Sequence, residues 1–481
     1  MSLHQLRLSG PRSGQRTTWG STPAEDPRAG APEPTARRRV VLHVVEAFGG
    51  GVAAAVRDYA RATPECEHHL LCHLRPEAVN LDAHWDGDFA SVRSLPGGHL
   101  ANIKATRWAI RDVKPDVIHS HSSYAGVYAR LAVGHLPRRR RDTLSPLNAP
   151  HAPTTRAERQ GDLLSAAPST MQLRAVRPGE RSEEPGLPGG GNGPSAVAGA
   201  PRAGGPRSGG RGHRLVRNRF VDLSLGGIKQ VYTPHAWSFS RLDRSRPVRL
   251  AYWMLEGALA ARTDVLAGCS KAENNVAHWG PIAPHTVYVP NIAEPYGEVR
   301  ARPAKGERLV VAGAGRLAAQ KDPVFFVQAV EAIRAAGHDI TPLWIGGGDE
   351  QVAQMLREHG VEVTGWVGQE DVRRHLRRAD VYLHTARWEG FPLTVLEAAL
   401  NDIPVIVRRI RVFDDAGLPL VVDTPEEVAG RWDEVTDERT RDEIARWTRA
   451  ALWENCHTVQ RQRLGEIYGV EVPLVERADS H

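Results

Sequence analysis

Apolar residues along the chain gather in short uninterrupted runs separated by longer amphipathic stretches. From "RRRVVLHVVEAF" an apolar run ends near Ala47, the turn Gly49-Gly50-Gly51 follows, and a helix is expected to about Ala62, before the strand "HHLLCHL". "DVIHSH" predicts another strand, with a helix behind it through Val133. The alternation stops at about Arg138. It resumes with "KQVYTPHAW", a long helix near Val248 to Arg262, the strand "DVLAGCS", a short helix, and "TVYVPN" ending at Asn291. Apolar strands alternating with helices predict a parallel, doubly wound sheet.

A second set begins at "RLVVAGAG". Asp322 is a good N-cap, Pro323 a good first helical residue and Gly337 a good stop for a helix carrying Phe326, Val330 and Ile333. "PLWIGGG", "VEVTGW", "DVYLHT" and "IPVIV" then alternate with helices ending at His359 and Arg378. The expected architecture is α/β: two Rossmann-like parallel-sheet domains, 38–295 and 296–440, followed by helices over 441–470 that pack back on the first.

Composition adds two segments without periodicity. Residues 1–37 read as a disordered tail, and residues 138–227, with "GLPGGGNGP" and "GGPRSGGRGHR", as a disordered insert in the first domain. Residues 471–481 form a short closing tail. The sequence pI of about 9.3 suggests an anionic partner until the charge is located. Residues 1–39 carry net +4 and residues 138–229 net +9, which leaves the remainder near −7. The basicity therefore belongs to the two irregular segments, which lack the interleaved aromatics that stack on bases, so nucleic acid is not an expected partner.

With 41% hydrophobic residues, no 18-residue uncharged apolar run and no signal-peptide core, the chain is expected to be soluble and cytoplasmic. Its four cysteines are scattered, as suits reduced thiols. "CEHHLLCH" from Cys66 invites a zinc reading, but its residues alternate along a strand and no second ligand pair follows. His119 and His121 are expected to orient a loop rather than hold a metal.

Ligands on such sheets bind beyond the carboxyl ends of the strands. In the second half those ends supply Gly315-Arg316 with Lys321, Gly346-Gly347-Gly348, Thr364-Gly365-Trp366, and the loop of "ARWEGFPLTVLEAAL" with Glu389. Glu397 falls on the same helical stripe as Leu393, Leu396 and Leu400, an odd place for a carboxylate unless something meets it. Two cations, glycine-rich backbone and two carboxylates suit a diphosphate attached to a ribose. Arg316 and Lys321 would neutralise phosphates, amides near Phe391 and Leu393 would donate to them, and a carboxylate would accept two vicinal hydroxyls. Each piece also has a plain reading: solvated loop cations, a simple turn, a paired core carboxylate, and for His235 in "TPHAW" a buried structural histidine.

The ordered set "GGGV", "DVIHSH", "TPHAW", "YVPN", "GAGRLAAQKD", "IGGGDE", "TGW" and "EGFPLTVLEA" resembles the retaining glycosyltransferases of family 4, which have the GT-B fold, over about residues 38–136 and 228–470. The resemblance implies a nucleoside-diphosphate-sugar donor as co-substrate, a retained anomeric configuration, and no metal or other cofactor. It implies that Arg316 and Lys321 hold the diphosphate as leaving group, that Glu389 lies beside the donor sugar with His235, and that Glu397 binds the ribose. Gly50 and Gly51 match the loop that approaches the donor phosphate, and Gly315, Gly347, Thr364, Gly365, Trp366, Gly390, Phe391, Pro392 and Leu393 complete the donor site. The acceptor would be a polysaccharide, a lipid carrier or a small molecule; separately, the net +9 of the insert would suit a peripheral contact at the anionic inner membrane face. "YVPNI" departs from the family, which more often continues Asn-Gly, and so does the insert. A nucleotide-sugar epimerase on the same scaffold, or a basic adaptor binding RNA or anionic lipid, are the alternative readings.

Overall fold

The strands read from the apolar runs assemble into two separate parallel sheets. In the computed structural model the described residues are 37–74, 86–133, 227–295 and 308–472. The expected tails and the expected insert lie almost entirely outside them.

The first sheet holds β1 (Arg39–Phe48), β2 (Cys66–Leu74), β3 (Ser91–Ser94), β4 (Val117–His121), β5 (Lys229–Thr233), β6 (Val265–Gly268) and β7 (His285–Tyr288), in the order β3-β2-β1-β4-β5-β6-β7. The second holds β8 (Leu309–Ala314), β9 (Ile340–Ile345), β10 (Glu362–Val363), β11 (Val381–His384), β12 (Val405–Arg408) and β13 (Val421–Val422), in the order β10-β9-β8-β11-β12-β13. Every neighbouring pair is parallel. Helices cover both faces, which is why the strands lack polar alternation: Val41, Leu42, Val44 and Val45 of β1 are all essentially buried.

Strand order reverses between β1 and β4 in the first sheet and between β8 and β11 in the second. At such a switch point the connections leave in opposite directions and open a crevice at the carboxyl ends. The loops after β8 and β11 therefore flank one crevice.

Of the helices expected to pack back on the first domain, only His457–Tyr468 does, with Leu464, Ile467 and Tyr468 joining Val41, Tyr59 and Val231 in one core cluster, whereas Ile444 of the helix Glu438–Ala451 joins the second domain's core. Lys229 Nζ donates to the Ile467 carbonyl at 2.6 Å and Arg461 to the Ala62 carbonyl at 2.6 Å. Asn291, at the end of the first sheet's last connection, donates to the Phe391 carbonyl at 2.8 Å. That bond ties the first half to the Glu389 loop.

Three local expectations shift. The long helix runs Arg246–Ala260, because Pro247 is tolerated in the first turn and Ser245 takes the cap position. Asp322 stands at the cap of the helix Pro323–Ala335, but its left-handed backbone (φ 48°) turns the carboxylate away from the helix amides. It pairs instead with Arg408 at 2.6 Å. Pro392, whose missing N–H suits the first position of a helix, is instead the cap of the helix Leu393–Leu400.

Candidate functional site

Two glycine loops after β8 and β9 interlock. A Cβ on Gly346 would lie 2.3 Å from the Gly315 carbonyl oxygen, and one on Gly347 would lie 2.7 Å from the Trp366 amide. Leu317 N–H donates to the Gly347 carbonyl at 2.9 Å, and the Trp344 indole to the Gly315 carbonyl at 2.9 Å. The glycines thus serve close backbone approach between loops, more than the simple turn of the plain reading. Thr364 Oγ1 accepts from the Gly346 amide at 3.0 Å and donates to the Gly365 carbonyl at 2.9 Å, which leaves the Trp366 ring 46% exposed beside the loops.

The β8 loop is fastened to the β11 loop. Thr385 Oγ1 donates to the Lys321 carbonyl at 2.6 Å, Arg387 N–H to the Gln320 carbonyl at 2.8 Å, and the Gln320 amide to the Trp388 carbonyl at 3.0 Å. This brings two predicted residues together: Lys321 Nζ stands 2.6 Å from Glu389 Oε1, with the side chains 21% and 11% exposed. The contact is an ion pair without an aligned hydrogen bond, since Oε1 has no hydrogen-bond partner. Arg316, by contrast, is exposed and makes no ion pair among the described residues. The two cations differ: one is held against a carboxylate and the other is open to a ligand.

Glu397 is only 7% exposed, and its carboxylate has no hydrogen bond among the described residues; only its backbone carbonyl is used, by Asn401 at 2.7 Å. Burial pushes its pKa up from the ordinary carboxylate value, partly offset by the positive charge of Arg373. It is a core carboxylate that feels the charge of Arg373 and has no hydrogen-bonded partner among the described residues. A carboxylate on so nearly buried a residue, with no hydrogen-bond donor from the described residues, is costly to ionise, so the site suits a donor from outside the chain.

The first half meets this loop directly. A Cβ on Gly390 would lie 2.8 Å from Ala236 N and from Cys269 Sγ, and 3.0 Å from the His235 carbonyl carbon. A Cβ on Gly51 would lie 3.6 Å from Leu393 Cδ1, so the start of the helix Gly50–Ala62, with Gly50 at φ 53°, faces the start of the Leu393–Leu400 helix. Phe391 and Pro392 are buried between them. His235 and Ala236 both have positive φ, 49° and 81°, and this turn is held by Glu273, whose Oε1 accepts from the Ala236 amide at 2.5 Å and whose Oε2 accepts from the Cys269 amide at 2.9 Å.

Sequence reasoning missed Glu273, although "SKAE" carries the Ser-x-x-Glu signature of a helix start; Ser270 does cap the Glu273 amide at 3.1 Å. It also missed His43, and it met His68 only as part of "CEHHLLCH"; both are buried. His119 and His121 are wholly buried in β4, the strand expected of "DVIHSH", and both side chains find partners inside the fold, His121 reaching His235 in the turn after β5.

The sequence model of the family described as "Glycosyl transferases group 1" matches residues 308–436, which span the second sheet. A curated protein from Klebsiella pneumoniae, an uncharacterised 41.2 kDa protein in the cps region, is 25% identical over 203 residues, covering 40% of this chain and 54% of its own length. The UDP-Gal:α-D-GlcNAc-diphosphoundecaprenol α-1,3-galactosyltransferase of Escherichia coli is 25% identical over 212 residues, again covering 40% and 54%. The chain spans about half the length of the curated relatives it matches. Among solved structures, HepE of Anabaena in complex with UDP superposes with a TM-score of 0.55 at 11% identity, covering 89% of this chain and 99% of that one. Sucrose-phosphate synthase from Thermosynechococcus elongatus gives 0.53 at 14% identity, covering 90% and 95%. At these identities the likeness is one of fold: the chain has the GT-B fold.

Proposed function

We propose that the protein is a glycosyltransferase that takes a sugar from a nucleoside diphosphate bound in the crevice after β8 and β11 and passes it, with retained anomeric configuration and without a metal, to an acceptor hydroxyl. The observation that carries this reading is Glu397: a nearly buried carboxylate with no hydrogen-bond donor among the described residues, on the helix whose first turn is flanked by Glu389 and by Gly51. A ribose diol would satisfy both its oxygens. Arg316 and Lys321 would then face the diphosphate and stabilise the charge that grows on it as the bond from the sugar carbon to the phosphate oxygen breaks. The new bond forms from that carbon to the acceptor oxygen, and the acceptor proton leaves with the diphosphate. With Glu389 committed to Lys321, the two glutamates do not form the acid and nucleophile pair of a glycosidase.

For the acceptor we favour a lipid carrier. The E. coli relative is named for a diphosphoundecaprenol-linked acceptor. In this chain the helix Arg246–Ala260 leaves Leu250 and Met254 each 55% exposed, with Trp253 beside them and Arg244 and Arg246 at its start. Exposed apolar side chains next to arginines suit the surface of an anionic bilayer. No helix among the described residues is long and apolar enough to cross a membrane.

The test is a thermal-shift panel of UDP-, GDP-, ADP- and TDP-sugars in the presence of a chelator. A donor at 100 times its Kd should stabilise by about 2.7 kcal/mol. Stabilisation by none of them, or only with magnesium or manganese restored, would sink the proposal or its metal-free part respectively. Cosedimentation with anionic vesicles, lost in Leu250→Glu/Met254→Glu, tests the membrane contact.

A further inference from the structure

Four histidines form one hydrogen-bonded row across the buried face of the first sheet. They come from β2, β1, β4 and the turn after β5, strands that are successive neighbours. The parallel register sets His68 opposite Val41, His43 opposite His119, and His121 opposite Thr233, so the rings share one face. His68 Nδ1 lies 3.0 Å from His43 Nε2, His43 Nδ1 lies 3.1 Å from His121 Nε2, and His121 Nδ1 lies 3.1 Å from His235 Nε2.

The row has a direction, fixed at its far end. His68 Nε2 is 3.0 Å from the Thr63 carbonyl oxygen and 3.1 Å from Thr63 Oγ1. A carbonyl cannot donate, and the hydroxyl proton is committed to the Tyr59 carbonyl at 2.9 Å. His68 must therefore carry its proton on Nε2. A neutral ring has one N–H, so its Nδ1 accepts, and His43 must donate through Nε2. The same step repeats at His121 and then at His235. Burial keeps all four rings neutral by lowering their pKa values, to about 4 for His68 and His235.

We propose that the Thr63 carbonyl sets the tautomer of His235 through His68, His43 and His121, so that His235 donates from Nε2 into the fold and offers Nδ1 as a bare hydrogen-bond acceptor. Nδ1 has no hydrogen bond among the described residues, and His235 sits in the turn against Gly390, where the two halves meet. Such an acceptor takes a hydroxyl from a ligand and disfavours a phosphate or carboxylate oxygen, which would need an N–H. That ligand preference rests on the transferase reading above; the tautomer does not. His68, His43 and His121 are positioning residues.

His119 lies beside the row and outside it, its nitrogens 2.8 Å from Tyr468 Oη and 2.8 Å from Thr233 Oγ1. Its nearest ring nitrogen lies, with those of His43 and His121, within a 4.8 Å spread, so a metal is the competing explanation. A metal there would have to break the His43–His121 hydrogen bond and would end the directional row.

The experiment uses the full chain with 15N-labelled histidine side chains. Long-range 1H–15N correlation separates Nε2–H from Nδ1–H rings by their nitrogen shifts. We expect His235, His121, His43 and His68 all as neutral Nε2–H tautomers, with no metal in the purified protein. His68→Phe removes the acceptor for His43 and should move the distant His235 towards the Nδ1–H pattern, while His68→Asn, whose Oδ1 replaces Nδ1, should leave it unchanged. His68→Phe should also slow turnover by about tenfold or more with nucleotide affinity within about twofold, whereas His68→Asn stays within about threefold of the parent. A His235 ring protonated on Nδ1 in the parent protein, stoichiometric bound metal, or a His235 tautomer indifferent to both substitutions would overturn the proposal. The parent spectrum decides even where a variant does not fold. Inactivity on every donor with the predicted tautomers intact would count against the transferase reading alone.

Discussion

Glu397→Gln should move stability and affinity in opposite directions. In the ligand-free protein the carboxylate is 7% exposed without a hydrogen-bonding partner, and burial raises its pKa. The near-isosteric amide removes the cost of burying that charge, which we put at about 1–2 kcal/mol, a rise in Tm of roughly 2 °C. Because the folded pKa is raised above the unfolded value, the parent protein loses stability as pH climbs through the folded pKa. The benefit of the substitution is therefore largest at alkaline pH and is lost as pH falls below about 4.5, where the acid becomes neutral in both states. With donor bound the sign reverses. Two hydrogen bonds from a diol to a carboxylate contribute about 1.5–3 kcal/mol each, and the amide oxygen retains only part of that. A net loss of about 2 kcal/mol is a roughly 30-fold weaker Kd. Thermal melts at pH 8 and pH 5, with and without nucleoside diphosphate, read both effects. A variant less stable than its parent at pH 8, or one binding nucleotide within about twofold of it, would show that Glu397 is a structural carboxylate and not a ribose ligand.

Arg316→Ala, removing the unpaired cation, should cost about 2–4 kcal/mol in kcat/KM for sugar transfer; a loss under about threefold would assign the guanidinium to solvent. Glu389→Gln frees Lys321 from its ion pair and should lower turnover at saturating donor while leaving nucleotide affinity nearly intact; an effect confined to affinity would place Glu389 on the nucleotide instead. Gly390→Ala sets a methyl 2.8 Å from Ala236 N and Cys269 Sγ, so steady-state kinetics should show kcat falling more than donor binding; unchanged kcat would mean that this contact does not matter to transfer. Acid should unfold the protein early. His43, His68, His119, His121, His235 and His384 are held neutral by burial, so below pH 6.5 the unfolded chain takes up protons that the fold refuses, down to about pH 4 for His68 and His235. Asp58 (raised to about 7), Glu273 and Glu397 oppose this by keeping protons in the fold. Six histidines outnumber three carboxyls, so the net effect is a loss of stability as pH falls below 6.5, at about 1.4 kcal/mol per pH unit for each net proton. Denaturant midpoints at pH 7 and pH 5.5 that agree would contradict it.

The strands and their helices were legible because parallel strands covered on both faces leave uninterrupted apolar runs, and the crevice was legible because ligand loops follow strand ends. Pairing across the sheet was not. Lys321 and Glu389 meet only because β8 lies beside β11, with Val311 opposite Val381 and Ala312 opposite Tyr382. The histidine row needed more: His43, His68 and His121 lie far apart in sequence, and nothing joins them until the order β2-β1-β4-β5 and the register are known. Asp322 shows the limit of a local rule, since a cap residue with a left-handed backbone and an arginine within reach gives its carboxylate to the arginine.

The most direct measurement of the central claim is acceptor-dependent transfer itself. The full chain is incubated with each member of a panel of UDP-, GDP-, ADP- and TDP-sugars, 13C-labelled at the anomeric carbon, in chelator, with and without a short-chain polyprenyl-diphosphate-linked sugar. Nucleoside diphosphate release and the product's anomeric carbon are followed by NMR. One donor should release nucleoside diphosphate in proportion to acceptor consumed, giving a glycosidic carbon with the donor's anomeric configuration, and Arg316→Ala should abolish most of it. An inverted anomeric centre would contradict retention. Release or isomerisation independent of acceptor, or no turnover of any donor, would contradict the transferase reading.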